Sequence, residues 1–156
     1  MQTKEKTEAI NDCLFLRKAT IDDWKILLDW RNDIETRKNS HNMELVEKEI
    51  HKRWLNSILA NRNRQLYIAI ESEMPVGTVR ADFDEHISTY ELSWTISPDF
   101  RGKGIGKKMV KLLTDKLNAK LRAEIKYGNI SSVKIAEFAG LKLKKEENGV
   151  LHYSNY

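Results

Sequence analysis

The sequence predicts an α+β fold with a mixed, mostly antiparallel central sheet of about six to seven strands flanked by four helices. Two periodicities support this class. Several short segments alternate apolar and polar residues, as strands do, and four longer segments repeat apolar residues every three or four positions, as helices do. The segments follow one another in the order β-α-α-β-β-β-α-β-α-β-β. A length of 156 residues fits one domain.

The N-terminal part begins with a polar segment and continues with one strand and two helices. Residues 1–12 have mixed charge and no apolar run, so we expect a flexible tail followed by a single domain over residues 13–156. Residues 14–19 form the first predicted strand. Thr20 is placed to cap a helix that extends to about residue 32, and a second helix covers residues 46–60.

A long polar and basic connection links these two predicted helices. It covers residues 31–42 and is either a solvated loop or a binding loop. In the second helix, His51 stands among charged residues, so we expect it at the surface.

The remaining elements are predicted from alternation, helical spacing and turn residues. The middle of the chain forms a meander with strands at residues 65–71, 78–83 and 90–96. Two helices, one short strand and a hairpin around Asn148-Gly149 follow. The helices cover residues 104–121 and 130–138, the strand covers residues 123–127, and the hairpin joins residues 141–144 to residues 150–153.

Three glycines at alternate positions follow the last strand of the meander and precede a basic helix. We name residues 101–106, which contain Gly102, Gly104 and Gly106, the glycine corner. Glycines allow a tight turn and a close approach of the backbone to a ligand, and a helix N-terminus offers free N–H groups. Five Lys or Arg residues lie between Arg101 and Thr114, with no acidic residue among them. The sequence therefore predicts a site for a phosphorylated ligand.

Two common phosphate loops do not fit the glycine corner. A nucleotide P-loop requires a Gly-Lys-Ser/Thr ending, whereas Gly106 is followed by two lysines. A dinucleotide fingerprint requires G-x-G-x-x-G, whereas the spacing here is G-x-G-x-G. A glycine-rich turn before a solvated basic helix is the alternative without a ligand.

The motif Arg101-x-x-Gly104-x-Gly106 resembles the pyrophosphate-binding motif of the GNAT superfamily of acetyl-CoA-dependent N-acetyltransferases. A second segment, Asn129-x-x-Ser132 followed by residues 137–141, resembles another landmark of that family. The resemblance extends from about Leu14 to Tyr153. It implies a GNAT-like sheet and a strand that splays from its neighbour ahead of the glycine corner.

The resemblance also implies that acetyl-CoA is the co-substrate. The exposed backbone of the splayed strand would pair with the pantetheine arm, and an N–H near Ile96 would bond the thioester oxygen. The implied cofactor-binding residues are Trp94, Thr95, Ile96, Arg101, Gly102, Lys103, Gly104, Ile105, Gly106, Lys107, Asn129 and Ser132. We expect no metal, because the single cysteine and four histidines offer no zinc-ligand spacing.

Direct transfer to an amine benefits from a general base. Glu91 is the first candidate because it lies on the strand that leads into the glycine corner. The alternative role for Glu91 is an exposed strand carboxylate paired with Arg80 across the sheet. His41 is the next candidate for the base, and an inert loop histidine is its alternative.

The general acid is less well defined. Relatives often carry a tyrosine seven residues after the asparagine that corresponds to Asn129, and this chain has Ala136 there. Tyr127 and Tyr90 are the remaining phenols near the expected site. Tyr127 is the predicted candidate, and water is the alternative.

The acceptor is predicted from the polar connection. Its residues resemble a bacterial GNAT subgroup of nonulosonic-acid and other nucleotide-sugar pathways, which acetylates UDP-linked aminodeoxysugars. Arginine binds phosphate oxygens in a bidentate manner, which suits such an acceptor. The predicted substrate-binding residues are Trp30, Arg31, Asn32, Arg37, Asn39, Ser40 and Arg80. A protein or peptide N-terminus, a small polyamine and a non-catalytic CoA-binding module are the alternatives.

The composition of the chain argues against nucleic acid and membrane as partners. The net charge of +4 is modest, and we find no nucleic-acid-binding motif and no apolar run long enough for a membrane span. We expect a cytoplasmic protein that binds neither nucleic acid nor membrane. The sequence is compatible with a homodimer.

Overall fold

The structure, a computed structural model, describes residues 13–156, which form a seven-stranded sheet in the order β1-β2-β3-β4-β5-β7-β6. Every neighbouring pair is antiparallel except β4 and β5, which are parallel. The predicted α+β class and strand number are therefore confirmed. The predicted flexible tail at residues 1–12 lies outside the described residues. The strands are β1 (Phe15–Lys18), β2 (Arg64–Glu71), β3 (Met74–Asp84), β4 (Thr89–Ile96), β5 (Leu121–Lys126), β6 (Lys142–Glu147) and β7 (Val150–Ser154).

Five α-helices cover the two faces of the sheet. They are α1 (Trp24–Asn32), α2 (Ile34–Lys38), α3 (Lys48–Ala60), α4 (Ile105–Leu117) and α5 (Ile130–Phe138). Within the described range, no helix is both long and apolar enough to cross a membrane.

The sheet separates two apolar clusters, because side chains alternate between its faces. On β2, Tyr67 and Ala69 join the larger cluster with α4 and α5, whereas Leu66 and Ile68 join the smaller cluster with α1 and α3. Full burial of one large aliphatic side chain contributes about 1.5–3 kcal/mol. Both faces of the central strands therefore anchor helices.

Strands β4 and β5 part soon after they meet. Only Tyr90 with Leu121 and Glu91 with Arg122 are paired between them in the described chain. On its other side, β4 stays paired with β3 as far as Ile96. The backbone of residues 92–96 therefore has no strand partner on the β5 side, which is the splay that the family resemblance implied.

One predicted loop and one helix end differ from the structure. Residues 34–38 of the predicted polar connection form α2, because the side chain of Asp33 accepts a hydrogen bond from Thr36 N (3.2 Å) and caps the turn. The described chain thus has five α-helices rather than four. Helix α4 ends at Leu117, four residues earlier than predicted, because Asn118 adopts a left-handed conformation.

The surface position predicted for His51 is wrong. Its side chain is buried, and only 3% of the residue is exposed. His51 lies four and seven positions before Leu55 and Ile58, which are also buried. This spacing places it on the apolar face of α3, although its sequence neighbours are charged.

A charged side chain fixes the turn from β1 into α1. Asp23 accepts two hydrogen bonds of 2.8 Å from the Arg17 guanidinium and one of 2.8 Å from Thr20 N. Hydrogen bonding by Arg17 holds the pKa of Asp23 below its usual value, although burial opposes the shift. The carboxylate therefore favours the folded chain most when it is ionised.

We predict that Asp23→Asn lowers the free energy of unfolding by about 1–3 kcal/mol at neutral pH, because charge-assisted hydrogen bonds are lost in a buried place. The folded-state pKa is depressed, so the stabilisation by Asp23 is complete above the unfolded-state pKa and is lost as the pH falls through the folded-state pKa. The difference between wild type and Asp23→Asn should therefore shrink between about pH 5 and about pH 2.

Urea unfolding followed by circular dichroism measures both effects. Asp22→Asn is the matched control, because Asp22 is an exposed neighbour. An equal loss in Asp22→Asn, or a difference that does not change with pH, would contradict the prediction.

Candidate active site

A cleft of about 1040 Å³ extends from the glycine corner, past the splayed end of β4, to helices α1, α2 and α3. One end is lined by the glycine corner and α5, which carry most of the predicted cofactor residues. The other end is lined by α1, α2 and α3, which carry part of the predicted acceptor residues. The sheet therefore brings the two predicted sites into one continuous space.

The three glycines of the glycine corner have two different roles. Gly102 and Gly104 both adopt φ of +76°, which other residues rarely tolerate. Gly106 lies within α4, and a Cβ atom there would approach the Ile135 side chain to 2.4 Å and that of Ile96 to 3.0 Å. Two glycines thus shape the turn, and the third allows α4 to pack closely against α5 and β4.

The start of α4 is suited to an anion. Gly104 is its N-cap residue, no acidic residue lies in its first turn, and Lys107 lines the cleft beside it. The free N–H groups and the positive end of the helix dipole both favour a phosphate there. Lys103 differs from the other predicted cofactor residues. It lies 5.2 Å over the Phe100 ring and does not line the cleft.

Arg101 links the glycine corner to α2. Its Nη2 atom donates to Asp33 Oδ2 and, at 3.2 Å, to Thr36 Oγ1. Burial raises the pKa of Asp33, but hydrogen bonds from Arg101 and Thr36 outweigh it and hold that pKa below its usual value. Arg101 therefore braces the corner against the acceptor side of the cleft.

Trp94, Asn129 and Ser132 connect the splayed strand to α5. Trp94 Nε1 donates to Ser132 Oγ at 3.2 Å, and Ser132 N donates to Asn129 Oδ1 at 3.3 Å, which caps α5. All three residues line the cleft, as do Thr95, Ile96 and Ile105. These predicted residues fix the walls of the space that a pantetheine arm would need.

Glu91 lines the cleft where β4 and β5 part. Its carboxylate lies 3.2 Å from Arg122 Nη2. Arg80 does not pair with it, because Arg80 Nε donates to Asp82 at 2.9 Å. The predicted partner Arg80 is therefore wrong, and Glu91 is a strand carboxylate paired with Arg122 instead.

His41 lies beside a second carboxylate of the cleft. His41 Nε2 is 3.3 Å from Glu124 Oε2, and His152 Nδ1 is 3.8 Å from the other oxygen of Glu124. The side chain of His41 is 64% exposed. His41 and Glu124 thus form a pair at the mouth of the cleft.

The two candidate phenols lie elsewhere. Tyr127 is 67% exposed and does not line the cleft. Tyr90 packs on the Phe83 ring, 4.8 Å away, and against the larger apolar cluster. Ala136 is fully buried. Among the described residues that line the cleft there is no tyrosine and no cysteine.

Arg31 and Arg37 carry buried nitrogens that lack partners, and we name this pair the acceptor arginines. Arg31 Nη2 donates to Asn42 O at 2.7 Å, whereas Arg31 Nη1 and Arg37 Nε have no hydrogen bond within residues 13–156. Burial first, and then the charge of Arg37, lower the pKa of Arg31. Two guanidinium groups therefore lie close together without a counter-charge among the described residues.

The other predicted acceptor residues divide into cleft-lining and structural ones. Trp30, Asn39, Ser40 and Arg80 line the cleft together with Arg31. Asn32 instead exchanges two hydrogen bonds with the Val46 backbone, of 2.9 and 2.8 Å, and holds α1 to the chain before α3. Arg37 contributes charge beside Arg31 and does not itself line the cleft.

Some residues that matter at the site are absent from the sequence-based predictions. Glu124 lines the cleft beside His41, and Arg122 does not line it but pairs with Glu91; these contacts join distant segments and leave no local signal. His51 lines the cleft as well, and its helical spacing from Leu55 was the signal that could have revealed it.

A comparison with models of protein families identifies the family to which this cleft and fold belong. The family model described as the acetyltransferase (GNAT) domain matches residues 14–142. The chain belongs to the GNAT acetyltransferase family. Acetyl-CoA is accordingly its co-substrate, as the glycine corner indicated. No curated protein matches the sequence with significance.

Solved structures share the GNAT fold with this chain. A domain from Methanocaldococcus jannaschii is 25% identical with a TM-score of 0.80, over 91% of this chain and 97% of that one. AAC(6')-Ib in complex with paromomycin and acetyl-CoA is 19% identical with a TM-score of 0.77, over 92% of each chain. The spermidine N-acetyltransferase from Vibrio cholerae, in complex with CoA and spermine, is 14% identical with a TM-score of 0.78, over 90% and 92%.

We predict that Arg101→Ala weakens acetyl-CoA binding by about tenfold, because the glycine corner of this GNAT enzyme loses its charged contact with α2. Asp33→Asn should have a similar effect although Asp33 does not line the cleft. Calorimetric titration with CoA measures both variants. Asp29→Asn, at an exposed position of α1, is the control. Normal CoA binding by Asp33→Asn would show that Arg101 does not act as a brace.

Proposed function

We propose that this GNAT acetyltransferase transfers the acetyl group of acetyl-CoA directly to the primary amine of a nucleotide-linked aminodeoxysugar. The acceptor arginines carry this proposal. Both side chains are half-buried, and each has a buried nitrogen, Arg31 Nη1 and Arg37 Nε, without a hydrogen bond among the described residues. Neither arginine forms a salt bridge in that part of the chain, although cations with buried nitrogens are normally paired. A diphosphate in the cleft would supply two negative charges and several acceptor oxygens to Arg31, with the charge of Arg37 beside it.

Two of the cleft carboxylates are paired with arginines. Asp82 pairs with Arg64 and Arg80, and Glu91 pairs with Arg122. The remaining ones, Glu124 and Glu35, lie beside His41 and Lys38 respectively. Free positive charge therefore lies on the acceptor side, which favours an anionic acceptor over a cationic one.

This distribution of charge favours a nucleotide-linked amino sugar over the other candidate acceptors. Spermine and paromomycin, which occupy two of the structural neighbours, are polycations and would need free carboxylates. A peptide N-terminus is a weaker rival, supported by a neighbour that is a ribosomal α-N-protein acetyltransferase with CoA. A non-catalytic CoA-binding module would bind the donor without consuming an amine.

The geometry supports a direct mechanism. The N–H groups of the glycine corner would hold the pyrophosphate, and the unpartnered backbone of residues 92–96 would align the pantetheine arm. Glu91 accepts the proton of the attacking amine, either directly or through one water, because amines are mostly protonated at neutral pH. A backbone N–H near Ile96 polarises the thioester carbonyl. Solvent then protonates the thiolate, since Tyr127 lies away from the cleft.

We predict that UDP-linked aminodeoxysugars are acetylated and that spermidine and peptides are not, when a panel of these amines is assayed by the release of free thiol from acetyl-CoA.

Arg31→Gln should raise KM for the sugar nucleotide by about ten- to hundredfold and leave KM for acetyl-CoA unchanged, because a charged hydrogen bond is lost. Arg62→Gln, at an exposed position, is the matched control. Turnover with spermidine alone would reject the proposal, and CoA binding without turnover of any amine would favour the module.

A second prediction concerns the proposed base. Glu91→Gln should lower kcat by about 10²–10⁴-fold at low pH and by less at high pH, where the amine is neutral without help. CoA binding should be unchanged, because Glu91 lies at the fork of β4 and β5 and not at the glycine corner. A pH–rate profile checks this, and a variant profile parallel to the wild-type profile would remove Glu91 from the mechanism.

Cytoplasmic location, a homodimer and the absence of nucleic-acid partners stay predictions from the sequence.

A further inference from the structure

Glu124 differs from the other carboxylates of the cleft in its partners. Among the described residues that line the cleft, the carboxylates are Glu35, Asp82, Glu91 and Glu124. The first three each pair with a lysine or an arginine, which keeps its charge at neutral pH. Glu124 instead lies 3.3 Å from His41 and 3.8 Å from His152, and an imidazole is a cation only when it is protonated. The described partners of Glu124 therefore include no permanent cation.

Glu124 lies just beyond the fork of β4 and β5. The last residue pair between these strands is Glu91 with Arg122. Glu124 follows Arg122 by two residues, so it lies on the same face of β5, about 7 Å farther along the strand. Its side chain is 38% exposed and lines the cleft, so a ligand can reach it. The carboxylate is therefore placed on the β5 side of the gap that residues 92–96 of β4 border on the other side.

The chemistry of the acceptor explains why a carboxylate without a permanent partner matters at this position. A primary amine is mostly an ammonium ion at neutral pH, with a positive charge and three N–H donors. A carboxylate that already pairs with a lysine or an arginine gains less from such a group than one that does not. One carboxylate of this kind suits one ammonium group, next to the strand that would hold the thioester.

We propose that Glu124 binds the ammonium group of the acceptor and positions it in the gap between β4 and β5. Glu91 has the separate role of base. As the N–C bond forms and the C–S bond breaks, the nitrogen gives up two protons; solvent returns one to the thiolate and keeps the other. Glu124 takes neither proton and acts through charge and position. This inference rests on the acetylation of an amine in the proposed function, but not on the nucleotide.

The first test compares wild type with Glu124→Gln in the full chain. The acceptors are UDP-linked aminodeoxyglucoses with the amine on carbon 2, carbon 3 or carbon 4, spermidine, and a peptide with a free N-terminus. Glu124→Gln should raise KM about ten- to hundredfold for every acceptor that wild type acetylates, because a charge-assisted hydrogen bond is lost. KM for acetyl-CoA should be unchanged, and kcat should fall much less than in Glu91→Gln. Glu146→Gln, at an exposed position of β6, is the matched control.

Two further measurements separate the charge of Glu124 from a structural role. UDP-glucose carries a hydroxyl in place of the amine, so where sugar nucleotides are acetylated it should inhibit wild type and Glu124→Gln equally. His41→Lys places a permanent cation beside Glu124 and should also raise KM for the acceptor. In the double variant with Glu124→Gln, it should add little, because both changes act on one contact. Circular dichroism melting confirms that each variant is folded.

The failure of this inference can be distinguished from that of the proposed function. Acetylation of spermidine or the peptide alone rejects the proposed acceptor, but a raised KM in Glu124→Gln would still support Glu124. If sugar nucleotides are acetylated, an unchanged KM in Glu124→Gln, weaker inhibition by UDP-glucose, or additive losses in the double variant overturns the role of Glu124 and leaves the proposed function intact. Absence of turnover with every amine overturns both.

Discussion

The parting of β4 from β5 is the constraint on which the site depends. Two residue pairs hold the parallel strands together, and beyond Glu91 the backbone of β4 keeps only β3 as a partner. Backbone groups without partners favour any ligand that can complete the ladder. The same divergence opens the sheet between its two apolar clusters, so one cleft reaches both the glycine corner and α1. The end of the cleft that would bind the donor and the end that would bind the acceptor therefore both depend on the parting of β4 from β5.

Charge divides that cleft into regions with different tasks. At the donor end, a helix N-terminus without acidic residues favours phosphate through the backbone and Lys107. Near the fork, Glu91 lies beside Arg122 and Glu124 beside His41, so two carboxylates line the middle of the cleft. At the far end, the acceptor arginines have no carboxylate partner in the part of the chain that the structure describes. Arg101 joins the first region to the start of α2 through its ion pair with Asp33.

Local sequence patterns predicted the structural elements that are formed by contiguous residues. The strands, the glycine corner and the Asn129 cap are contiguous, and their spacing was sufficient to predict fold, family and donor. Helix α2 was missed because a five-residue helix has little periodicity and depends on its Asp33 cap. The contact of Arg101 with Asp33 joins residues 68 positions apart, and no pattern in either segment predicts it. His51 was misplaced because charged sequence neighbours concealed its position on the buried face.

The unmatched acceptor arginines affect more than recognition. Two adjacent cations without a counter-ion raise the free energy of the folded chain relative to the unfolded one, in which solvent separates them. A ligand that binds only the folded state adds stability that grows with the logarithm of its concentration. Under the proposed function, folding and acceptor supply are therefore thermodynamically linked. A preparation that lacks the proposed anionic acceptor would then be a less stable form of the enzyme than the one that binds it.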